Sequence, residues 1–252
     1  MSGVDLSLMD PGLLASLVTR LQEVEIDRTE LTRHQVEAII TAMLAEGCLV
    51  KKLDISCNNL SVVDPSLLAR AVNSMKEVHI SNTELTAQQM ETIMTVMDAG
   101  GCPTKKLDLS WNNLSTVDPN LLARVLTGME EVKWVEVRGE VELTLIQVEA
   151  ILTAICAEDC LVKKLDISSL NLSSVEPGLL ARALNRLEEV EMSSVTYLTT
   201  SQVEAVLRQS LMQTSLRKLE LELDSEENTE LDEGLEARAR LAIGYLHIYD
   251  PL

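Results

Sequence analysis

VKKLDISCNNL, residues 50–60, returns as TKKLDLSWNNL at residues 104–114 and as VKKLDISSLNL at residues 162–172. A diverged copy, LRKLELELD, begins at Leu216. The fourth position of the four copies is Leu53, Leu107, Leu165 and Leu219, at intervals of 54, 58 and 54 residues. Self-similarity at a nearly fixed period determines the architecture of a chain before any local propensity does.

A second kind of segment lies between these copies. LQEVEIDRTEL begins at Leu21 and MKEVHISNTEL begins at Met75, and looser versions begin at Met129 and Leu187. The chain is therefore an array of two alternating units, each of about 25 to 29 residues.

Each unit predicts a short strand followed by a helix. Apolar residues such as Leu53 and Ile55 alternate with polar ones, as in a strand with one buried face. In first-type units the helix starts with an acidic residue and a proline, at Asp10-Pro11, Asp64-Pro65, Asp118-Pro119 and Glu176-Pro177. Proline suits the first helical position because no amide is needed there, and the acidic side chain can accept from the first turn.

Second-type units start their helices with a Thr-x-x-Gln capping box, at Thr32 with Gln35, Thr86 with Gln89, Thr144 with Gln147 and Thr199 with Gln202. Strands that alternate with helices at this period run parallel, with the helices outside. Because a helix is about twice as wide as the strand spacing of about 4.8 Å, the stack is expected to curve with its strands inside. The predicted fold is an α/β solenoid shaped as a horseshoe, with parallel strands on the concave side and helices on the convex side.

The repeat predicts one elongated domain over residues 1–252. Residues 1–20 form a truncated first unit, residues 21–223 hold the alternating units, and residues 224–252, which lose the consensus, are expected to form a C-terminal cap. A last closing strand is predicted around Tyr245 to Tyr249.

The pattern LxxLxLxxNxL identifies these units as similar to leucine-rich repeats. Their two alternating helical types resemble the ribonuclease-inhibitor subfamily, which also forms the ligand-sensing end of nucleotide-binding immune receptors. That resemblance implies a non-enzymatic binding scaffold. The chain departs from the pattern at Leu170, which replaces the ladder asparagine found at Asn58 and Asn112. It departs again within residues 133–142, where four extra residues are expected to bulge from the arc.

Charge and composition limit the partner. The formal net charge is −19, with 40 Asp and Glu against 21 Lys and Arg, which argues against nucleic acid and anionic membranes and favours a basic protein or peptide.

No apolar run approaches the roughly 18 residues of a membrane span, and no basic, apolar leader opens the sequence. Cys48, Cys102 and Cys160 recur at one place in successive units and are expected to pack as free thiols in a reduced, cytoplasmic protein.

Three columns of side chains flank the buried strand positions. The first alternates in sign as Glu23, Lys52, Glu77, Lys106, Glu131, Lys164, Glu189 and Lys218, and it is interpreted as a structural column that neutralises itself. The second, Glu25, Asp54, His79, Asp108, Lys133, Asp166, Glu191 and Glu220, is mostly acidic. The third is mostly serine, including Ser56, Ser110 and Ser168. An acidic column beside small hydroxyls suits a basic partner, although the same residues also keep an open sheet face soluble.

Aromatic residues are only 2% of the chain, so its two tryptophans stand out. Trp111 falls on the concave side, where an exposed tryptophan is a candidate hot spot. Trp134 occupies a core position, which favours burial, but it lies with Lys133 and Arg138 where the repeat is interrupted. The predicted partner-binding residues are Glu25, Asp54, His79, Asp108, Trp111, Lys133, Trp134, Arg138, Asp166 and Glu191.

The sequence offers little for catalysis. The three histidines, His34, His79 and His247, lie in separate places, and no Ser-His-Asp or Cys-His set converges. No phosphate loop, dinucleotide glycine pattern or zinc signature is present. The sequence therefore predicts that the protein is not an enzyme and that it holds no cofactor and no metal.

Two alternatives to a recognition scaffold remain open at this point. The N-terminal end is expected to expose Val4, Leu6 and Leu8, which would favour self-association as a homodimer. The charge also suits a ribonuclease-inhibitor-like inhibitor of a basic protein, although known inhibitors of that kind are far richer in cysteine.

Overall fold

The computed structural model describes residues 5–133, 143–168, 170–192, 198–212, 214–222 and 231–249. The chain divides into two compact units, Met1–Val117 and Asp118–Leu252. Both units alternate strands with helices.

The described part of the first unit holds four strands and four helices. Its elements are α1 (Pro11–Val18), β1 (Glu23–Glu25), α2 (Arg33–Met43), β2 (Lys52–Asp54), α3 (Pro65–Val72), β3 (Glu77–His79), α4 (Ala87–Asp98) and β4 (Lys106–Asp108). The strands pair in chain order and all run parallel, with Val24, Leu53, Val78 and Leu107 in register.

The second unit repeats this plan and adds one strand and one helix. Its elements are α5 (Pro119–Thr127), β5 (Glu131–Lys133), α6 (Leu145–Ile155), β6 (Lys164–Asp166), α7 (Pro177–Leu184), β7 (Glu189–Met192), α8 (Thr200–Met212), β8 (Lys218–Glu222), α9 (Glu233–Ile243) and β9 (Tyr245–Tyr249). Strands β5 to β9 also pair parallel in chain order. The parallel α/β solenoid is confirmed, and so is the closing strand, which is β9.

The helix-start signals act as the sequence predicts. Asp64 Oδ1 accepts from the Leu67 amide at 2.8 Å, with Pro65 at the first helical position of α3. The capping box of α4 has both of its hydrogen bonds, from the Gln89 amide to Thr86 Oγ1 and from the Thr86 amide to Gln89 Oε1. The helices of the second type are also the longer ones, with 12 residues in α4 against 8 in α3.

The capping-box glutamines have a second role that the sequence pattern did not indicate. Gln89 is buried, and its Nε2 donates to the carbonyls of Leu60 and Val63 in the preceding repeat, at 2.7 and 2.8 Å. Gln35 does the same to Leu6 and Met9. One side chain therefore caps its own helix and satisfies two carbonyls of the repeat before it.

Buried asparagines join neighbouring repeats at the carboxyl ends of the strands. Asn112 Nδ2 donates to the Ile80 carbonyl at 2.7 Å, and its Oδ1 accepts from Thr83 Oγ1 at 3.2 Å. Asn58 makes the equivalent bonds to Ile26 and Thr29. In the second unit Leu170 fills this position and is buried, and the local defect predicted there stays a prediction because Ser169 lies outside the described residues.

The N-terminal end differs from expectation at one residue. Leu6 is buried, because it fills the same core column as Leu60 and its amide donates to the Thr29 carbonyl. Leu8 is 96% exposed as predicted, and Val4 lies outside the described residues. The repeated cysteines Cys48, Cys102 and Cys160 are half-buried free thiols. The predicted bulge falls mainly within residues 134–142, which are not described.

We predict that Asn112→Ala destabilises the fold by about 2 to 3 kcal/mol, because it leaves buried backbone and hydroxyl groups without a partner. The matched control is Asn113→Ala, since Asn113 is exposed and its Oδ1 accepts from the amide and hydroxyl of Ser115, two residues away. Urea unfolding monitored by circular dichroism measures the free energy of unfolding of both variants. Equal losses in the two variants would contradict the role assigned to the buried amide.

Candidate partner-binding face

Parallel pairing aligns equivalent side chains on the face of each sheet opposite the helices, which we call the open face. The residue before each buried strand centre forms the first column, which is Glu23, Lys52, Glu77 and Lys106 in the first unit and Glu131, Lys164, Glu189 and Lys218 in the second. The residue after it forms the second column, which is Glu25, Asp54, His79 and Asp108 in the first unit and Lys133, Asp166, Glu191 and Glu220 in the second.

The first column is held together by lateral ion pairs. Glu77 lies between two lysines, with Lys52 Nζ at 3.4 Å and Lys106 Nζ at 3.6 Å from its carboxylate oxygens. In the second unit Lys164 Nζ lies 3.0 Å from Glu189. Partly exposed pairs of this kind contribute about 0.2 to 1 kcal/mol each, so the alternation mainly maintains register.

The two columns are also cross-linked. Lys52 Nζ donates to Glu25 Oε1 at 2.9 Å, and this bond raises the pKa of Lys52. In the second unit Lys218 pairs with Glu191 and with Glu220. Part of the acidic charge on the second column is thus neutralised by lysines of the first.

His79 stands at the centre of the second column in the first unit. Its Nε2 lies 3.0 Å from Glu77 Oε1, and its Nδ1 lies 3.7 Å from Asp108 Oδ2. The nearby Asp108 carboxylate is the main cause that raises the pKa of His79, and Glu77 adds to it against the opposing effect of burial. Burial acts to raise the pKa of Glu77, but His79 and the flanking lysines together lower it.

The aspartates of the second column also hold the turns that follow the strands. Asp54 Oδ1 accepts from the Ser56 amide and Asp108 Oδ1 from the Ser110 amide, both at 3.0 Å. The side chain of Asp108 is only 12% exposed. Each aspartate therefore has a structural bond as well as a place on the open face.

The serine column is not available to a partner as the sequence suggested. Ser56, Ser110 and Ser168 are all buried. Ser56 Oγ accepts from the Ser81 amide at 3.1 Å, which ties one turn to the next. The serines are small because the turn is tight, and the prediction that their hydroxyls line the binding surface is wrong for these three.

In the second unit the open face has a groove of about 230 Å³. Its charged lining residues are Glu131, Lys133, Lys164, Asp166, Glu189 and Glu191. Burial raises the pKa of Asp166, while Ser168 and Lys133 oppose that shift. The groove thus has four acidic and two basic side chains, so its negative charge is partly compensated within the groove.

Trp111 is the exposed aromatic residue at the carboxyl end of β4. It is 51% exposed, and its φ of +63° lies in the left-handed region. Arg28, Cys57 and Asn82 adopt the same conformation at the equivalent positions, so the turn itself requires it. Tryptophan is poorly suited to this conformation, whereas asparagine tolerates it. A bulky aromatic side chain is thus held at a position where stability favours another residue.

The structure brings some of the predicted site residues together, and two others lie outside the described residues. Glu25, Asp54, His79 and Asp108 are adjacent in the first unit, and Lys133, Asp166 and Glu191 are adjacent in the second. Trp134 and Arg138 lie outside the described residues. Glu77, interpreted from sequence as purely structural, also bonds His79. Its position two residues before His79 on one strand was the signal that could have indicated this contact.

A family model described as Leucine Rich Repeat matches residues 49–71 and 104–125. Two stretches of the chain thus match leucine-rich repeats.

A leucine-rich-repeat-containing protein from Legionella pneumophila, LegL7, has a similar solved structure. The match has a TM-score of 0.51 at 13% identity and covers 99% of this chain and 88% of that one. A leucine-rich-repeat protein of Leptospira interrogans matches with a TM-score of 0.34 at 13% identity, over 91% of this chain and 72% of that one, which is too low to support an argument. No curated protein matches the sequence. These comparisons support the leucine-rich-repeat fold alone.

The described part of the chain has no group of three or more His, Cys, Asp or Glu side chains arranged to hold a metal ion. Within the same residues, every helix is too short or too polar to cross a bilayer.

We predict a pH dependence of stability that originates at His79. Because the pKa of His79 is higher in the folded state than its ordinary value of 6.5, protonation of His79 stabilises the folded protein. This contribution is complete below the ordinary pKa and is lost as the pH rises through the pKa of the folded state. His79→Gln should therefore lower the free energy of unfolding more at about pH 5.5 than at about pH 8. Urea titrations at the two pH values measure the free energy of unfolding, with His34→Gln as the control. A pH-independent difference would contradict the proposed contacts.

We predict that Trp111→Asn raises the free energy of unfolding by about 0.5 to 1 kcal/mol, because asparagine accepts the left-handed backbone more readily. Thermal and urea unfolding measure the change. Leu109→Ala, which truncates a buried residue in the same repeat, should destabilise the protein and shows that the assay responds. A loss of stability in Trp111→Asn would mean that the indole contributes packing instead.

Proposed function

We propose that this chain is a non-enzymatic recognition scaffold that binds a basic protein or peptide segment through the open face of its sheets. The observation that carries the proposal is the second column of the first unit, where Glu25, Asp54 and Asp108 share one face around His79. Leucine-rich repeats generally form protein-binding scaffolds, which agrees with this assignment.

The geometry suits an extended segment that crosses the strands. Neighbouring strands lie about 4.8 Å apart, and alternate side chains of an extended peptide are separated by about 6.6 to 7 Å. Lysine and arginine side chains are long enough to adjust between these spacings. Cations of the partner would meet Glu25, Asp54 and Asp108, whose charges the local lysines neutralise only in part.

Trp111 supplies the apolar part of the proposed site. It belongs to the same repeat as Asp108 and follows it by three residues. A half-exposed indole can stack on a guanidinium or cover the aliphatic part of a lysine side chain. Lys133, Asp166 and Glu191 belong to the proposed surface in the second unit, and Trp134 and Arg138, which lie outside the described residues, are assigned to it from the sequence alone.

His79 would make this recognition sensitive to pH. Protonation adds a positive charge at the centre of the acidic column, and the raised pKa of His79 brings that charge closer to neutral pH. Binding of a basic segment should thus weaken as the pH falls through the pKa of His79. The dependence would disappear in His79→Gln.

For the biological setting, we propose the ligand-sensing part of an innate immune receptor-like protein in the cytoplasm. Five free cysteines fit a reducing compartment. Inhibition of a basic protein, in the manner of ribonuclease inhibitors, would use the same acidic face and is the alternative form of this activity.

A second candidate function is self-association into a homodimer. Leu13 and Leu17 of α1, with the nearby Leu8 and Leu21, are exposed in the first unit. Light scattering across a range of protein concentrations tests this candidate. A dimer that forms with increasing concentration supports it, and a monomer throughout excludes it.

The open face is tested with a fluorescent, capped oligolysine decapeptide as the probe. Asp54→Asn and Asp108→Asn remove two charges but keep an oxygen that can accept from the Ser56 and Ser110 amides. We expect the double variant to bind the probe about tenfold more weakly by anisotropy, since each lost charge pair contributes about 0.2 to 1 kcal/mol and the column acts together. Trp111→Asn should weaken binding while raising stability.

The matched control is Glu46→Gln with Glu91→Gln, which removes two charges from exposed positions outside the strands. It should leave binding nearly unchanged at the same ionic strength. Equal weakening in the two double variants would mean that the probe senses net charge alone, and the open-face proposal would fail.

A further inference from the structure

A polar cleft lies in the second unit, where helices α6, α7 and α8 end. It has a volume of about 340 Å³, and the described residues that line it are Cys156, Arg182, Asn185, Arg186, Gln209 and Ser215. Two of these side chains are cations and none is a carboxylate. The chain has a formal net charge of −19, so a cleft whose charged groups are all positive is not a consequence of composition.

Most of these residues depart from the repeat. Counted from the capping-box glutamines and the strand centres, four of the six positions are apolar or small around α3 of the first unit, where they are Leu44, Ser74, Val96 and Pro103. In the second unit the same positions hold side chains with hydrogen-bond donors, which are Cys156, Arg186, Gln209 and Ser215. Packing of the repeats does not require these changes, and polar departures gathered at one cleft are typical of a functional site.

Arg182 is the cation of the cleft that the repeat explains. It lies in the last turn of α7, as Arg70 does in α3 and Arg124 in α5. A cation near the C-terminal end of a helix is favoured by the helix dipole. Arg182 alone therefore gives no indication of a ligand.

Arg186 is not explained in this way. The same place holds Ser74 after α3 and Gly128 after α5. Arg20 fills it after α1, but α1 has a serine where α7 has Arg182. Among the four first-type helices that the structure describes, α7 alone thus ends with both arginines. Like charges four residues apart repel each other, and a bound anion would relieve that repulsion.

Two hydrogen bonds hold the donors of the cleft in place. Arg186 Nη2 donates to the Ala157 carbonyl at 2.9 Å, which fixes the guanidinium against the end of α6. A guanidinium has five N–H donors, so one bond orients it without using all of them. Asn185 Nδ2 donates to the Val206 carbonyl at 3.1 Å, which joins the end of α7 to α8 and so fixes the arginines relative to Gln209.

Asn185 Oδ1 contributes nothing specific to the cleft. It is buried and has no hydrogen-bond partner among the described residues, and the same is true of Asn73 Oδ1 in the first unit. The unpartnered oxygen therefore belongs to the repeat, whereas the added donors belong to the cleft.

We propose that this cleft binds the phosphate group of a phosphate monoester. The group carries a charge of about −2, which matches two guanidinium groups that bind phosphate oxygens through paired hydrogen bonds. Its three terminal oxygens accept from the four donor side chains, Arg182, Arg186, Gln209 and Ser215. A carboxylate has one charge and two oxygens and would leave part of this donor set unused.

Two sources can supply such a group, which are a phosphorylated side chain of a partner protein and a small phosphate ester. Both present the same dianion to the cleft. The lining residues of the cleft do not belong to the open face, so this site goes beyond the proposed function, and either can fail while the other stands.

Protection of Cys156 from alkylation locates the bound phosphate, because this half-buried free thiol lines the cleft. The probes are inorganic phosphate and a capped pentapeptide with a central phosphoserine, added to the full chain at constant ionic strength. Mass spectrometry measures the rate at which N-ethylmaleimide modifies each cysteine. A bound probe should slow the modification of Cys156 and leave that of Cys102, a half-buried thiol of the first unit, unchanged.

Two variants restore the residues that the first unit has at these positions and are therefore expected to fold. Arg186→Ser should bind phosphate about tenfold more weakly by isothermal titration calorimetry, because charge-assisted hydrogen bonds are lost. Gln209→Val should show a smaller loss. The control Arg208→Ser removes the same charge from a neighbouring position of α8, where Arg208 pairs with Glu204 at 2.8 Å, and it should bind phosphate as the wild type does.

The affinities of the two probes separate the two sources. Tighter binding of the phosphopeptide than of inorganic phosphate assigns the group to a protein side chain, and equal or weaker binding assigns it to a small ester. Three results would overturn the proposal. They are the absence of Cys156 protection by either probe, equal phosphate affinity of the wild type and Arg186→Ser, and binding of acetate as tightly as phosphate.

Discussion

Buried side-chain amides hold the repeats of this protein in register, and the remaining features depend on that register. The turns between strand and helix leave carbonyls inside the protein, and a buried polar group without a partner is costly. Asn112 binds the Ile80 carbonyl of the preceding repeat, and Gln89 binds the carbonyls of Leu60 and Val63. A shift of one repeat against the next would break these bonds together.

Fixed register has a direct consequence for the open face. It places first-column residues of opposite sign side by side, so that Lys52 and Lys106 both pair with Glu77. It also places His79 against Asp108 and raises the pKa of the histidine. The proposed recognition surface is therefore built on positions whose lateral neighbours are determined by stacking.

The fold could be predicted largely from the sequence because its signals are repeated. The strand centres at Leu53 and Val78, the Asp64-Pro65 helix start and the capping box at Thr86 are all confirmed. Contacts that depend on the direction of a turn could not be predicted. Cys57 and Trp111 adopt a left-handed conformation and the serines before them are buried, and no apolar periodicity indicates either. The hydrogen bonds from Gln89 to the preceding repeat could not be predicted either, because the capping box already accounts for a glutamine at that position.

The most direct test of the account is the position of a bound basic segment. Carbodiimide links lysine amines to carboxylates that they contact, and mass spectrometry identifies the carboxylates joined to a bound oligolysine peptide. The account predicts links at the open-face residues Glu25, Asp54 and Asp108. Links confined to Glu37, Glu46 and Glu91, outside the strands, would contradict it.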